Sequence, residues 1–441
     1  MYKVRSTFYV LLSTFHATLN YFVFLLFYTR IMKEKLLDRF LRYVSIDTQS
    51  DDKSDNSPST EKQWKLAKLL VKELKEMGLD NAMVDDYAYV YASIPSNTDR
   101  NLPSIGFIAH MDTSPDMPGE NVKAQVLENY DGKDIVLNKE QSIILKIEEY
   151  PELAEYEGHT IICTDGTTLL GADDKAGIAE IMTAVDFLLQ NPEIEHGPVK
   201  IAFTTDEEIG RGTDYFDVER FGADFAYTMD GSGTGELEFE NFNAASADII
   251  IQGNNIHPGY AKDKMLNAIR VAGEFDALIP EKERPEYTEK YEGFYHLIAQ
   301  NATVENATMK YIIRDHDRAK FELRKRIMEE NAEALNEKYG SETVSMELKD
   351  QYFNMREIIE NHYHVVDLAA KAMVQANIKP VIKPIRGGTD GARLSFMGLP
   401  CPNIFAGGHN FHGKYEYVSL EVMVKAVDVI LNIIKLADEK E

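Results

Sequence analysis

Apolar and polar residues follow two patterns along the chain: short apolar runs, and longer stretches with an apolar residue at every third or fourth position. From Met32 onward, the apolar positions 36, 37, 40, 41 and 44 repeat at helical spacing, which predicts an opening helix. A second helix is predicted over about 61–77, and Gly78 ends it. Strands are predicted after these helices, at 88–94, 105–109, 160–163 and 199–204, with another helix at 176–189. Strands that alternate with helices predict an α/β sheet with helices on its faces.

The pattern changes near Glu240. Strands and helices are predicted there in the order β-α-β-α-β, at 247–252, 262–278, 307–314, 317–339 and 343–352. Such a run can form a small sheet with its helices on one face. Beyond residue 352, helix, turn and strand patterns return up to Lys435. We therefore predict an α/β domain made of 32–240 and 353–441, with a smaller α+β domain, 241–352, inserted into it.

Composition and charge narrow the function. The 441 residues are 44% hydrophobic and 27% charged, as in soluble globular proteins. The net charge of −26 argues against a nucleic-acid partner, because neutralising phosphates requires a basic surface. The two cysteines, Cys163 and Cys401, stand far apart and outside any CxxC spacing. Neither a disulfide framework nor a thiolate metal site is therefore expected, and a reducing compartment suits two free thiols.

The first 31 residues differ from the rest of the chain. Residues 8–28 form an uncharged, mostly apolar run with basic residues on both sides. That length can span a bilayer, and the basic start resembles a signal anchor. The run also contains polar residues, no small-residue cleavage site follows it, and Met32 resembles a natural start. Three interpretations stay open for residues 1–31: a start-site artefact, a membrane anchor and a cleaved signal.

Five short segments carry residue types suited to a metal site. In the first, an apolar strand run ends at His110, and ligands of open α/β sheets gather beyond the carboxyl ends of strands. Asp112 points to the same side if the chain stays extended. It can then accept a hydrogen bond from the imidazole and fix its tautomer. The alternative is a strand-end histidine with a nearby acid.

The second and third segments are acidic. Asp173 and Asp174 stand between a glycine and a predicted helix. Asp173 offers two oxygens that can bridge two cations, whereas the alternative is a helix cap. Glu207 and Glu208 follow a predicted strand, and adjacent glutamates on an extended segment face opposite ways. One can bind metal while the other acts as a general base, and the alternative is a solvated acidic loop.

The last two segments contain Asp230, after the apolar run 225–228, and His412, in the glycine-rich segment 407–413. A simple turn is the alternative at Asp230. Together, the five segments place His, Asp, Glu, Asp and His at successive strand ends of one apparent sheet. Nitrogen and oxygen donors with a carboxylate bridge are typical of paired hydrolytic zinc ions, which lower the pKa of a bound water and polarise a carbonyl. Glu207 is then predicted to take the proton of the water and pass it to the leaving amine.

The motifs resemble those of a known family. They are HMDT at 110–113, GADDKAG at 171–177, TDEEIG at 205–210 and MDG at 229–231. They are similar to the dizinc exopeptidases, a family that includes aminoacylases, dipeptidases and succinyl-diaminopimelate desuccinylase. Three further stretches, at 42–50, 312–315 and 385–391, most resemble its tripeptide aminopeptidases. The resemblance runs from Met32 to about residue 437. It implies a catalytic domain with a central mixed sheet flanked by helices, and it makes the insertion a lid and dimerisation domain.

The resemblance also implies a set of ligands. One zinc ion is expected at His110 and Asp230, the other at Glu208 and His412, with Asp173 bridging the two. Glu207 matches the family's general acid and base, and Asp112 matches the residue that orients His110.

Two histidines, His409 and His412, lie in the same segment, and one of them is the expected ligand. The family's ligand lies four residues before a glutamate, as His412 lies before Glu416. His409, three residues before His412, is therefore expected to lie outside the ligand set.

Three substrate-binding residues are implied as well. His257 matches a lid-domain histidine that helps to stabilise the tetrahedral intermediate and that, in relatives dimerising through the lid, can come from the partner chain. Arg314 and Arg386 resemble residues that hold the terminal carboxylate of the peptide, for which the planar guanidinium fork is well suited. A surface ion pair is the alternative for each arginine. A homodimer through the lid domain is therefore a possible assembly.

These observations predict a zinc-dependent aminopeptidase that removes the N-terminal residue from tripeptides in the cytoplasm, as part of peptide catabolism. A dipeptidase or an N-acyl amino acid amidohydrolase would use the same dizinc site and is the alternative. An alternative of another class is a non-catalytic, membrane-anchored peptide-binding protein, which the apolar leader suggests. Lipid-anchored binding proteins need a cysteine just after the leader, however, and the first cysteine here is Cys163. Membrane association is expected only if the leader is a real anchor.

Overall fold

A computed structural model describes residues 30–437. Most of the predicted leader, residues 1–29, lies outside this range. Among the described residues, no helix combines the length and the apolar character needed to cross a lipid bilayer.

Eighteen strands occur in the part of the chain that the structure describes. They are β1 Met83–Val84, β2 Val90–Ile94, β3 Ile105–His110, β4 Gln125–Leu127, β5 Ile135–Asn138, β6 Ile143–Leu145, β7 Ile161–Cys163, β8 Val199–Thr204, β9 Phe225–Gly231, β10 Glu236–Glu238, β11 Asn243–Gln252, β12 Phe294–Ala302, β13 Asn306–Asp315, β14 Val344–Tyr352, β15 Val381–Ile382, β16 Asn403–Phe405, β17 Gly408–His409 and β18 Tyr417–Ser419.

The helices begin with α1, which covers residues 30–44. The others are α2 Gln63–Glu76, α3 Ala172–Gln190, α4 Val218–Phe221, α5 Ala268–Leu278, α6 Arg318–Tyr339, α7 Arg356–Ile359, α8 His364–Gln375, α9 Asp390–Phe396 and α10 Leu420–Leu436.

The central sheet has eight strands in the order β1-β2-β8-β3-β9-β16-β10-β15. Strands β8, β3, β9 and β16 are mutually parallel, whereas β2 runs antiparallel to β8. Helix α3 packs on β3 and β9. It can do so because Gly177 has no side chain: a Cβ there would lie 2.2 Å from the main-chain oxygen of Met229. The prediction of an α/β protein with a mixed central sheet flanked by helices is confirmed.

A second, four-stranded sheet in the order β17-β18-β7-β4 was not predicted. Only its strand β7 was predicted, within 160–163; the other strands have two or three residues each, too short to give a periodic signal. Strand β18 pairs antiparallel with β7, with Tyr417 opposite Cys163. The sheet brings the segment before β18 next to the segment that follows β7.

The chain divides into two compact units. The first comprises, within the described residues, 30–237, 367–381 and 403–437, and the second comprises Glu238–Val366 and Ile382–Pro402. In the second unit, the antiparallel sheet β12-β13-β11-β14 carries α5 and α6 on one face. Alternate residues of β13 enter the core between them: Ala307, Met309, Tyr311 and Ile313.

The second unit is larger than the predicted insertion, 241–352. It also contains 353–366 and 382–402, because hydrogen bonds connect these segments to residues 240–243, at the start of β11. Asn354 accepts a hydrogen bond from the N–H of Asn241 (3.1 Å), and its own N–H donates to the Asn243 side chain (3.0 Å). The N–H of Ile385 donates to the Glu240 carbonyl (2.8 Å).

Candidate metal centre

Three of the predicted ligands come from neighbouring parallel strands. His110 is the last residue of β3 and pairs with Thr204, the last residue of β8, four residues before Glu208. Asp230 lies next to the end of β9, on the other side of β3. The carboxyl ends of parallel strands meet at one edge of the sheet, so these side chains converge there.

The other two predicted ligands come from the smaller sheet. Asp173 follows β7 through a loop and stands before the regular part of α3, and its backbone and that of Asp174 are not helical. His412 lies in the loop between β17 and β18 and has a φ of +60°. The expectation that all five ligands follow strands of one sheet was therefore wrong, because two sheets contribute.

His110 forms the buried part of the cluster. Its side chain is 2% exposed, and its Nε2 lies 2.8 Å from Asp173 Oδ1 and 3.6 Å from Asp230 Oδ1. The other ring nitrogen, Nδ1, lies 3.1 Å from the main-chain oxygen of Asp112. A hydrogen bond donated by Nδ1 to that oxygen leaves the Nε2 lone pair directed at the two carboxylates, the tautomer that a metal ligand requires.

His412 forms the more open part. Its side chain is 40% exposed, and its Nε2 lies 2.8 Å from Glu208 Oε2 and 3.5 Å from Asp173 Oδ2. Its Nδ1 lies 3.3 Å from Oδ2 of Asp116, which is exposed. Asp173 thus directs one carboxylate oxygen at each histidine, as expected for a bridging carboxylate.

The charges in the cluster strongly perturb one another. Burial lowers the pKa of His110, but its carboxylate neighbours Asp112, Asp173 and Asp230 outweigh this and raise it well above the usual value. Burial also opposes protonation of His412, yet hydrogen bonds to Asp173 and Glu208 raise its pKa to about 11. Burial and the negative Asp173 raise the pKa of Glu208 to about 8. The cluster therefore favours the binding of protons or cations between its carboxylates.

The donor set fits divalent metal ions. It offers imidazole nitrogens and carboxylate oxygens without a thiolate, which suits zinc and similar ions. Donor atoms of His110, Asp173 and Glu208 all lie within 4.8 Å of one another, as do those of His110, Asp174 and Asp230. Cations between these groups would replace the protons that otherwise balance the carboxylates.

Asp174 was not predicted to belong to the cluster. Its carboxylate is buried and accepts the main-chain N–H groups of His110 (3.3 Å) and Gly177 (3.2 Å). Burial and the nearby Asp230 raise its pKa well above the usual value. It thus joins the end of β3 to the first turn of α3.

Asp112 is fully buried and has two connections. Its carboxylate lies 3.5 Å from His110 Nδ1, farther than its main-chain oxygen does. The carboxylate instead accepts the N–H groups of Glu207 (3.0 Å) and Glu208 (3.2 Å). These two glutamates lie in a short 3₁₀ helix, Glu207–Ile209, rather than on the expected extended segment.

Glu416 was noted in the sequence only as a landmark for His412. It is 2% exposed and immediately precedes β18. Its Oε2 accepts the N–H groups of Leu170 (2.6 Å) and Gly171 (2.9 Å), and its Oε1 accepts that of Asp173 (3.2 Å). Its spacing from His412 was the one signal in the sequence that pointed to it.

His409 lies apart from these contacts, as expected. Its Nε2 hydrogen-bonds with the Tyr156 hydroxyl (2.7 Å), and its ring stacks on that of Tyr417 at 4.9 Å.

The three predicted substrate-binding residues belong to the second unit. Arg314 donates from one guanidinium nitrogen to the Ala245 and Ile313 carbonyls, and burial lowers its pKa. The exposed Arg386 packs its guanidinium 5.9 Å from the centre of the Phe294 ring.

Arg314 pairs with Phe294 in the sheet, which places both arginines at one end of it. His257 follows the opposite end of β11 and is exposed. Arg314 pairs with Ala244 near the start of β11, eight residues before its last residue, Gln252. At a rise of about 3.3 Å per residue, the end of β11 that leads to His257 lies about 26 Å along the strand from the residue that pairs with Arg314. Within one chain, the structure does not bring His257 and the arginines together.

Comparison with known proteins now places this geometry in a family. Residues 239–343 match the family described as the peptidase dimerisation domain. Peptidase T of Geobacillus thermodenitrificans (strain NG80-2) is 59% identical over 409 residues, which are 93% of this chain and 100% of that relative. Peptidase T of Clostridium novyi (strain NT) is 60% identical over 403 residues, 91% of this chain and 99% of the relative.

A solved structure shares the fold. Aminopeptidase PepT from Bacillus cereus ATCC 10987 is 23% identical and superposes with a TM-score of 0.73, covering 92% of this chain and 99% of that chain. The predicted fold and the predicted peptidase class are confirmed, and the chain belongs to the peptidase T family.

Proposed function

We propose that the chain is a zinc-dependent aminopeptidase that removes the N-terminal residue from tripeptides. Membership of the peptidase T family supports the reaction class, and the buried His, Asp and Glu cluster of the first unit supports its metal dependence. In this proposal His110 and Asp230 would hold one Zn²⁺, Glu208 and His412 would hold the other, and Asp173 would be shared by both.

The position of Asp173 carries the proposal. Its Oδ1 lies 2.8 Å from His110 Nε2 and its Oδ2 3.5 Å from His412 Nε2, so the two oxygens face two different donor groups. A structural helix cap would direct its oxygens at main-chain N–H groups instead. A carboxylate between two imidazoles is the arrangement needed for two neighbouring cations.

The residues of the chain divide the work of hydrolysis. Two bound zinc ions supply Lewis-acid polarisation of the scissile carbonyl and acidify a water. Glu207, half-buried beside Glu208, accepts the proton of the attacking water and passes it to the leaving amine. Asp112 keeps Glu207 in place through the N–H of that residue and supports His110 through its main-chain oxygen. One buried aspartate therefore connects the base with a ligand.

We further propose that Arg314 and Arg386 bind the terminal carboxylate of the peptide. Both lie at the same end of the second unit's sheet, and the guanidinium of Arg386 is held by the carbonyls of Lys290 and Glu292 (3.2 Å to the latter). Such anchoring reduces the rotamer entropy lost when a carboxylate binds. Recognition of that carboxylate would restrict the enzyme to short peptides.

His257 is proposed to act on the substrate of a partner chain. It lies at the opposite end of the same sheet from the arginines, and the second unit contains the match to the peptidase dimerisation domain. A homodimer through this unit would let the partner supply the imidazole. His257 then stabilises the negative oxygen of the tetrahedral intermediate.

The cytoplasm is the proposed location, because both cysteines are buried free thiols, as in a reducing compartment. Fractionation of the native host tests it. Recovery of the protein in the membrane fraction would instead favour an anchor in residues 1–31.

The function is tested with the full-length protein and defined zinc. Leu-Gly-Gly-type tripeptides are compared with dipeptides, tetrapeptides, N-acetylated tripeptides and N-acyl amino acids. We expect the highest kcat/KM on free tripeptides, release of the N-terminal residue, and loss of activity with a chelator that returning zinc reverses. A dominant rate on N-acyl amino acids would refute the aminopeptidase assignment and favour an amidohydrolase.

A further inference from the structure

One buried carboxylate next to the metal centre touches no predicted ligand side chain. Glu416 is 2% exposed, and its oxygens accept main-chain N–H groups from residues 170, 171 and 173, before the regular part of α3. A buried carboxylate is costly unless it is hydrogen-bonded, so these three bonds set where the side chain can lie. The same three hydrogen bonds hold the main chain of residues 170–173 in place.

That loop ends in the proposed bridging residue. Leu170 and Gly171 donate to one oxygen of Glu416, and Asp173 donates to the other. The backbone of Asp173 is not helical and has no helical hydrogen-bond ladder to fix it. The orientation of its side chain therefore depends on bonds from outside the helix.

Glu416 also belongs to the segment that carries His412. The two residues are separated by one turn of chain, in which the N–H of Glu416 donates to the Gly413 carbonyl (3.3 Å). Glu416 is followed directly by β18, which pairs with β7. One side chain thus ties the His412 segment to the Asp173 loop.

We propose that Glu416 is a positioning residue that holds the bridging carboxylate Asp173 and the ligand His412 in register, so that the chain binds both metal ions tightly. It is not a ligand itself. The inference rests on the proposed function, since it assumes that Asp173 and His412 bind metal. Mutations of such outer residues typically reduce metal affinity by about 10–100-fold.

The Glu416→Gln variant tests the inference. Glutamine has one acceptor oxygen and a donor NH₂, whereas N–H groups approach both oxygens of Glu416. In either orientation, the amide faces at least one N–H group. We expect zinc affinity, measured by competition with a chromophoric chelator, to fall by about 10–100-fold for both ions, because Asp173 is shared. Saturating zinc should restore most of the kcat.

Glu421→Gln is the matched control. Glu421, in α10, accepts the N–H of Thr160 (2.7 Å), the residue before β7. It therefore also connects the C-terminal segment with β7, but no predicted ligand lies in α10 or next to Thr160. The Glu421→Gln variant should bind zinc with wild-type affinity even if its Tm falls. An equal loss of affinity in both variants would overturn the positioning role, as would a zinc-saturated Glu416→Gln variant that stays inactive.

A measurement on the wild type covers the case that Glu416→Gln fails to fold. Hydrogen exchange of the metal-free protein should show slow exchange for the amides of 170, 171 and 173. Fast exchange there would contradict the three hydrogen bonds. Wild-type protein that binds fewer than two zinc ions would refute the proposed dizinc centre, whereas two tightly bound ions in both wild type and Glu416→Gln would refute the role of Glu416 alone.

Discussion

The two halves of the candidate metal centre are built differently. His110 and Asp230 belong to adjacent parallel strands, and the side chain of His110 is 2% exposed. His412 lies in a loop between two very short strands, and its side chain is 40% exposed. The first half is positioned by the hydrogen-bond ladder of the central sheet, and the second depends on side-chain bonds from elsewhere.

The difference shows what each kind of site needs. At a strand end, the register of the sheet determines where the Cβ points, so few additional contacts are necessary. A loop needs anchors: Asp116 contacts the ring of His412, and the Glu416 carboxylate, four residues further on, binds the main chain of the Asp173 loop. The His412 half should therefore be the more sensitive of the two to changes in surrounding residues.

The largest effect is expected where the halves meet. Asp173→Asn keeps the size of the side chain but removes the charge that both ions share, so both should be lost and hydrolysis should fall to background. Metal content after gel filtration, measured by mass spectrometry, checks this. Retention of one ion would show that the halves bind independently and that Asp173 does not bridge.

The next largest effect is expected from the proposed base, Glu207, which belongs to neither half. Glu207→Gln should lower kcat by about 10²–10⁴-fold, the usual contribution of a general base, while KM and zinc content stay near wild type. Glu208→Gln is the control, because it should lose zinc. Peptide turnover by Glu207→Gln at the wild-type rate would exclude Glu207 as the base.

A smaller effect is expected at the open half. Asp116→Ala removes the carboxylate 3.3 Å from His412 Nδ1, so zinc affinity should fall by about tenfold, the lower end for an outer partner, since Asp116 is exposed. One of the two ions should be affected, as a biphasic chelator titration would reveal. Equal weakening of both ions would contradict the division of the centre into two halves.

The smallest effect is expected in α3, the helix that packs on β3, the strand of His110. Glu180 on α3 is fully buried, and neither carboxylate oxygen has a hydrogen-bond partner among the described residues. Burial raises its pKa well above 4.5, so the folded chain keeps a proton that the unfolded chain releases. Stability should therefore fall as pH rises above about 4.5, up to the folded-state pKa.

Glu180→Gln has no such proton to keep. Its Tm in the metal-free protein should exceed that of the wild type at pH 8, by roughly 1 °C per kcal/mol of stability in a chain of this length, and by less at pH 5. Calorimetry at both pH values checks this. A lower Tm at pH 8 would mean that the carboxylate is stabilising after all.

The sequence patterns located the central sheet well, because β3, β8 and β9 are apolar runs whose ends carry the polar residues. Strand β12 lies at the edge of its sheet and was missed, since only Tyr295 among its nine residues is buried and its apolar residues do not alternate with polar ones. The second sheet was missed because its strands have only two or three residues each. Its absence from the prediction is the reason why Asp173 and His412 were assigned to the ends of central strands.

Long-range contacts account for the remaining differences. Alternation along the chain predicted that the Asp112 carboxylate accepts a hydrogen bond from His110, but the hydrogen-bond partners of that carboxylate are N–H groups about 95 positions later. Glu416 reaches a loop about 245 positions earlier. No local pattern records such pairs, and only the spacing from His412 marked Glu416 as a residue of interest.

The two connections of Asp112 also matter to protein engineers. The five ligands could not be moved to another scaffold on their own, because the turn that carries Glu207 and Glu208 is held by the carboxylate of Asp112 rather than by its own strand. The smallest transferable part is the end of β3, through Asp112, together with the Glu207–Ile209 turn. Grafting that pair as one piece would carry two proposed ligands, His110 and Glu208, and the proposed base, Glu207, with their relative placement already fixed.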